Sequence, residues 1–114
     1  MLAALFLFAA CSRKKAVDSS KAEAGPQAAE QFELGKKYLA EEQYDEAIEA
    51  LLKSIDFDDQ YVDAYMLLGE FYLDQERFEE AVNILKQGYK NTGDASLKEL
   101  YSLSYERLAY QYYD

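Results

Sequence analysis

The chain has 114 residues, 50% of them hydrophobic and 30% charged, which describes one globular domain at most and excludes a disordered chain. Its formal net charge is −10, and from Ala28 onward eight basic residues stand against twenty acidic ones, so a phosphate backbone is repelled and no nucleic-acid partner is expected. With no histidine, one cysteine and no glycine-rich phosphate loop, nucleophilic catalysis and the common transition-metal sites lack their residues, and no enzyme activity, cofactor or metal is expected.

Met1 to Ala10 is an almost unbroken apolar run that stops at Cys11. Ten residues are too few to span a bilayer, which takes about 20, but they suit the core of a signal peptide. Ala9 and Ala10 are small enough for a peptidase cleft, and Phe8-Ala9-Ala10-Cys11-Ser12 resembles the lipobox of bacterial lipoproteins. That resemblance implies a signal peptide over residues 1–10 and a diacylglycerol on Cys11. The lipid would anchor the chain to a membrane of the bacterial cell envelope, outside the cytoplasm. Phe8 stands where such proteins favour Leu, and no Lys or Arg precedes the run, a departure that a start upstream of Met1 would account for. The plainer alternative is a buried or frayed helix followed by an ordinary thiol.

Ser12 to Gln27 contains Arg13-Lys14-Lys15, then Ser19, Ser20, Gly25 and Pro26, with no apolar periodicity. It predicts a flexible tether over residues 11–27, with Pro26 opening the first helix. The three basic residues suit anionic lipid headgroups or a solvated linker equally.

From Ala28 the apolar positions recur at three- and four-residue spacings. They predict helices over Ala28–Glu41 and Tyr44–Phe57, the second with Ala47, Ile48, Leu51, Leu52 and Ile55 on its apolar face. Asp58 or Asp59 is placed to cap a third helix over Tyr61–Asp74. A turn at Gln75-Glu76-Arg77 leads to a fourth over Phe78–Lys90. Leu34-Gly35, Tyr38, Tyr44 and Ala47 return as Leu68-Gly69, Tyr72, Phe78 and Ala81, always at the same offset of thirty-four positions. Gly35 and Gly69 are expected where two helices approach closely, facing Ala47 and Ala81, with Tyr38 and Tyr72 filling the gap beside them. Tyr44 and Phe78 are expected to pack back towards the turn.

This pattern resembles the tetratricopeptide repeat, over Ala28 to about Gly93. The resemblance implies an all-α fold: a TPR-like α-solenoid of two helix-turn-helix repeats, residues 28–61 and 62–95, plus a C-terminal helix within a domain of residues 28–114. The units depart from the family at Gln31, Ser54, Asp59, Gly88 and Gly93, positions expected to be tolerant.

Asn91-Thr92-Gly93-Asp94 breaks the pattern, and Ser96-Leu97-Lys98-Glu99 has the form of a capping box, which starts a fifth helix at Ser96. Leu108-Ala109 with Tyr112 looks like a third copy of the Leu-Gly motif, displaced from the second by forty positions, so residues 96–114 form a capping helix or a partial third repeat.

The family resemblance also implies a concave groove lined by the first helix of each unit, which binds a protein or peptide partner. Its positions here are Phe32, Lys36 and Leu39, then Asp63, Met66, Glu70, Leu73 and Asp74, then Glu106, Tyr110 and Tyr113. The family's Lys/Asn clamp for a peptide C-terminus is not reproduced. An apolar floor with acidic flanks suits a peptide or helix carrying Lys or Arg, while Phe32, Leu39 and Leu73 read equally as core. Asp56, Asp58, Asp59 and Asp63 lack the turn glycine and spaced glutamate of a calcium loop, and read as caps and solvated charge. The expected function is a protein-protein interaction adaptor or scaffold of the cell envelope. The alternative is a structural module that forms a homo-oligomer through Tyr101, Tyr105, Tyr110, Tyr112 and Tyr113, more aromatic surface than one helix face buries.

Overall fold

The computed structural model describes residues 20–113. They form five helices: α1 (Ser20–Ala40), α2 (Tyr44–Phe57), α3 (Val62–Asp74), α4 (Phe78–Thr92) and α5 (Ala95–Tyr113), with no strand among the described residues. Each helix packs on the next, and α5 also touches α3. Two hairpins, α1/α2 and α3/α4, are thus stacked side by side with α5 laid over the second, an all-α solenoid. The expected signal peptide of residues 1–10, Cys11 and the first part of the tether lie outside the described residues.

Helix α1 begins at Ser20, ahead of the expected Ala28, and Pro26 lies inside it. Proline removes one backbone bond, the one to the carbonyl four residues back. Lys21 to Ala24 before Gly25-Pro26 and Gln27 to Glu30 after it are strong helix formers, so the helix continues through a residue that sequence reasoning takes as its start. Residues 20–27, expected as tether, are helical.

Both hairpins turn the same way. Glu42 (φ 59°) and Glu76 (φ 58°) take left-handed backbone conformations. The N–H groups of Gln43 and Arg77 donate to the carbonyls of Tyr38 and Tyr72 at 2.8 Å, and those of Glu42 and Glu76 to Leu39 and Leu73 at 3.1 and 3.0 Å. This pair of hydrogen bonds closes the helix C-terminus and fixes a tight reversal.

Behind each turn the helices press together. A methyl at Gly35 would sit 2.8 Å from Leu51 Cγ, and one at Gly69 2.6 Å from Leu85 Cγ. The side chains that need the glycines are therefore Leu51 and Leu85, one turn beyond the expected Ala47 and Ala81. Those alanines are themselves completely buried. Leu51, Leu68, Leu85, Leu97 and Tyr65 are fully buried too. At about 1.5–3 kcal/mol for each large side chain, this cluster outweighs any surface interaction in the molecule. The Tyr44 ring lies 5.2 Å from Phe71 on α3, so it joins the first hairpin to the second.

The caps differ from expectation in two places. Helix α3 has Tyr61 before its first turn and no side-chain cap. Asp58 instead ends α2, donating its N–H to the Ser54 carbonyl at 3.0 Å and accepting the Gln60 N–H at 3.0 Å. At α5 it is Asp94 that accepts the N–H groups of Ser96 (2.8 Å) and Leu97 (3.2 Å), so the helix starts one residue before the expected Ser96. Aspartate caps as well as serine, and Gly93 in the left-handed conformation (φ 72°) delivers Asp94 to that place.

Ser54 and Gly88, expected to be tolerant, are specific. They occupy equivalent places one repeat apart. The buried Ser54 hydroxyl donates to the Ala28 carbonyl at 2.7 Å, tying α2 to α1. Gly88 makes room for the Tyr65 ring, whose Cγ would lie 2.6 Å from an added methyl. Tyr65 in turn donates its hydroxyl to the Asp59 carbonyl (2.9 Å) and accepts from the Asn91 amide (3.0 Å). Gly88→Ala is expected to destabilise the domain by about 1–3 kcal/mol in urea unfolding through overpacking. In the double variant Gly88→Ala, Tyr65→Leu the loss should be clearly smaller than the sum of the two single losses; additive losses would mean that the contact is not coupled.

Candidate functional site

The expected groove residues fall into two stripes at matching register. On α1, Phe32, Lys36 and Leu39 are spaced four and three apart; on α3, Met66, Glu70 and Leu73 repeat those positions one period later, flanked by Asp63 and Asp74. Such spacing puts each set on one helix face. Phe32, Leu39, Met66 and Leu73 are half-buried against the core cluster, while Lys36, Asp63, Glu70 and Asp74 are exposed. The apolar positions thus serve the core with one side and leave the other side free.

One contact joins the stripes: the Phe32 ring lies 5.5 Å from that of Tyr61, the residue just before α3. Tyr61 belongs to this surface although sequence reasoning did not include it. The available signal was its place two residues before Asp63, at the start of a groove helix. Lys36 is held on α1 by Glu33 at 3.2 Å, with its ammonium 5.2 Å from the centre of the Phe32 ring. Its charge is matched within its own helix. Asp63, Glu70 and Asp74 make no ion pair among the described residues, so the α3 side of the surface is negative.

The C-terminal residues of the expected groove lie on α5. Tyr110 is 61% exposed and Tyr113 89%, and Glu106 is exposed too. Tyr113 joins Tyr105, Leu108, Ala109 and Tyr112 around an open hollow of about 350 Å³ on α5, which Tyr110 does not line. The structure therefore places the α1 and α3 positions on neighbouring hairpins and Tyr110 and Tyr113 on α5.

Asp56, Asp58, Asp59 and Asp63 do not gather. Among the described residues no group of three or more acidic, histidine or cysteine side chains is arranged to hold a metal ion. Likewise, no described helix is long and apolar enough to cross a membrane.

Stacked helical hairpins of this kind define an all-α repeat solenoid. Residues 38–103, more than half of the chain, match the family described as Tetratricopeptide repeat, and the chain belongs to that family. The match begins in α1 and ends within α5, beyond the two regular units. Repeats of this family generally mediate protein-protein interaction and are typically non-catalytic. No curated protein matches the chain.

Three buried or part-buried tyrosines make the fold sensitive to alkali. Burial raises the hydroxyl pKa of Tyr61, Tyr65 and Tyr72 above the ordinary 10.0. Asp63 and Glu33 add to the rise at Tyr61, whereas the Asn91 hydrogen bond opposes it at Tyr65. The unfolded chain then loses these protons first as pH rises. Their contribution to stability is complete below pH about 10 and is lost as pH climbs through the folded values. Tyr65→Phe is expected to flatten part of that alkaline loss while costing about 0.5–1.5 kcal/mol at neutral pH, since the Asp59 carbonyl and Asn91 amide lose their partner. Urea unfolding at neutral pH and above pH 10 reads both effects.

Proposed function

We propose that this protein is an adaptor or scaffold of the bacterial cell envelope that holds a Lys- or Arg-bearing peptide or helix along Phe32, Lys36 and Leu39 on α1 and Asp63, Met66, Glu70, Leu73 and Asp74 on α3. The observation that supports this reading best is the combination on α3 of half-buried apolar side chains with carboxylates that no described cation neutralises. The apolar floor supplies affinity by burial. The carboxylates supply on-rate and choice of partner, because exposed ion pairs contribute only about 0–1 kcal/mol each. Lys36, tied to Glu33, keeps the α1 side less negative and gives the bound segment a preferred direction.

Anchoring through a lipid on Cys11 is part of the same proposal. Its support is the resemblance of Phe8 to Ser12 to a lipobox and the apolar run before it.

Asp63, Glu70 and Asp74 are exposed, so reversing all three to Lys should leave folding nearly unchanged. In fluorescence anisotropy against a peptide library, the triple variant is expected to lose about tenfold or more affinity for the basic peptides that the parent selects. Met66→Glu should weaken every ligand alike, because it disrupts the floor. If the charge-reversed chain keeps the parent's peptide preferences, this surface is not the binding site. For the anchor, cells fed a labelled fatty acid should yield labelled, membrane-associated protein. Cys11→Ser should remove both label and membrane association; a labelled Cys11→Ser chain would rule out the assigned attachment site.

A further inference from the structure

We propose that the chain carries its own occupant for the α1/α3 surface: the segment Arg13-Lys14-Lys15, folded back from the start of α1 so that its cations meet Glu33 and Asp63 beside the Phe32 and Tyr61 rings, where a partner has to displace it. The proposal rests on the reading of that surface as a seat for basic segments, and gives the seat a competitor within the same chain. Residues 13–15 lie outside the described residues; the structure supplies the seat, its charge and its distance from Ser20.

The corner of the seat nearest the start of α1 combines aromatic faces with carboxylates. The Phe32 and Tyr61 rings, 5.5 Å apart, bridge the two hairpins, and both residues are only half-buried. Around them stand Glu33 on α1, Asp63 on α3 and Asp58 at the end of α2. Beyond burial, Asp63, Glu33 and Asp58 all raise the pKa of the Tyr61 hydroxyl, and Lys36 opposes them. Lys36 is already engaged by Glu33 at 3.2 Å, and Asp58 and Asp63 form no ion pair among the described residues. Rings edged by carboxylates suit a cation on a long aliphatic stem, as Lys36 shows with its ammonium 5.2 Å from the centre of the Phe32 ring.

Composition names the occupant. Arg13-Lys14-Lys15 is the only run of three basic residues in the chain, set before a region in which eight basic residues face twenty acidic ones. No other segment of this molecule is comparably complementary to the seat.

Reach selects the corner. Helix α1 begins at Ser20, so Phe32 lies about 18 Å along its axis, at about 1.5 Å per residue. Asp63, one repeat after Ala29, stands at a similar height on a helix roughly 8–10 Å to the side. The extended chain from Ser20 back to Lys15 and Arg13 spans about 17–25 Å, and the long side chains add to it. The segment therefore reaches Phe32, Tyr61 and Asp63, while Leu39, Leu73 and Asp74 at the far end stay open for a partner to engage first. So short a link presents the segment at about millimolar effective concentration, which lets individually weak contacts occupy the seat.

Disulfide trapping in the full chain reads the contact. In a Cys11→Ser background, Lys14→Cys with Ala29→Cys should close an intramolecular disulfide about tenfold faster than Lys14→Cys with Asp56→Cys. Ala29 shares a face of α1 with Phe32 and Lys36. Asp56 is exposed on the last turn of α2, two residues past Ser54, whose hydroxyl holds Ala28, so it lies at the same end of the molecule and within similar reach but off the seat. In parallel, a fluorescein-labelled peptide of residues 12–19 should bind the chain carrying Arg13→Gln, Lys14→Gln and Lys15→Gln about threefold or more tightly than the parent, because the seat has lost its competitor. Trapping at position 29 no faster than at 56, or equal affinity of the two chains for the peptide, would overturn the proposal. Equal trapping in a parent that binds basic library peptides removes this contact and keeps the partner reading. Preferential trapping at position 29 in a chain that binds none of them keeps the contact and removes the partner.

Discussion

Everything in this fold hangs on how closely the two helices of each hairpin approach, and that distance is set by Leu51 and Leu85 reaching into the space where Gly35 and Gly69 have no side chain. The contact turns two amphipathic helices into a rigid wedge. Because both wedges use the same residues one repeat apart and reverse through the same turn at Glu42 and Glu76, they present their first helices on the same side. The stripe on α1 and the stripe on α3 are outcomes of that buried contact. Neither stripe has to be held by interactions of its own, which leaves its charged residues free to answer to a ligand.

Within this frame the two hairpins are not copies. The first holds its helices at one further point by a buried hydroxyl, Ser54 to the Ala28 carbonyl. The second fills the same place with the whole ring of Tyr65 and removes the side chain at position 88 to admit it. Burying an aromatic contributes more than one hydrogen bond, at about 0.5–1.5 kcal/mol, can offset. The second hairpin, also clasped by α5 through the fully buried Leu97, is the centre of the core, and Tyr44 on Phe71 draws the first hairpin onto it.

The sequence discloses those parts of the fold that repeat. The first four helices, the two hairpins and the close approach at Gly35 and Gly69 followed from a single constant offset, since a spacing held throughout one chain records a shared packing solution, whereas the side chains filling that approach, Leu51 and Leu85, did not. What stayed hidden lay where local chemistry offers several equal answers. Asp94 and Ser96 are both good caps, and only the path of the chain after Gly93 selects the first. Pro26 marks a helix start in most settings, yet here the flanking residues carry the helix through it. Gly88 looks like a weakened alanine until Tyr65, on the preceding helix, is seen against it. The candidate surface was legible to the same degree: positions 32, 36, 39, 66, 70 and 73 follow from the period. The contact of Tyr61 with Phe32 depends on tertiary placement that no period encodes.

The distribution of charge bears on how the proposed surface would choose a ligand. A strongly acidic solenoid attracts basic segments along its whole length, so charge alone would localise a ligand poorly; in the proposed reading the half-buried Phe32, Leu39, Met66 and Leu73 would give it a seat. Along α5 the acidity is weaker, with Lys98 and Arg107 standing against Glu99 and Glu106. On α5 the hollow-lining residues Tyr105, Leu108, Ala109 and Tyr112 and the groove-register residues Glu106 and Tyr110 occupy different sides of the helix, with Tyr113 at their border.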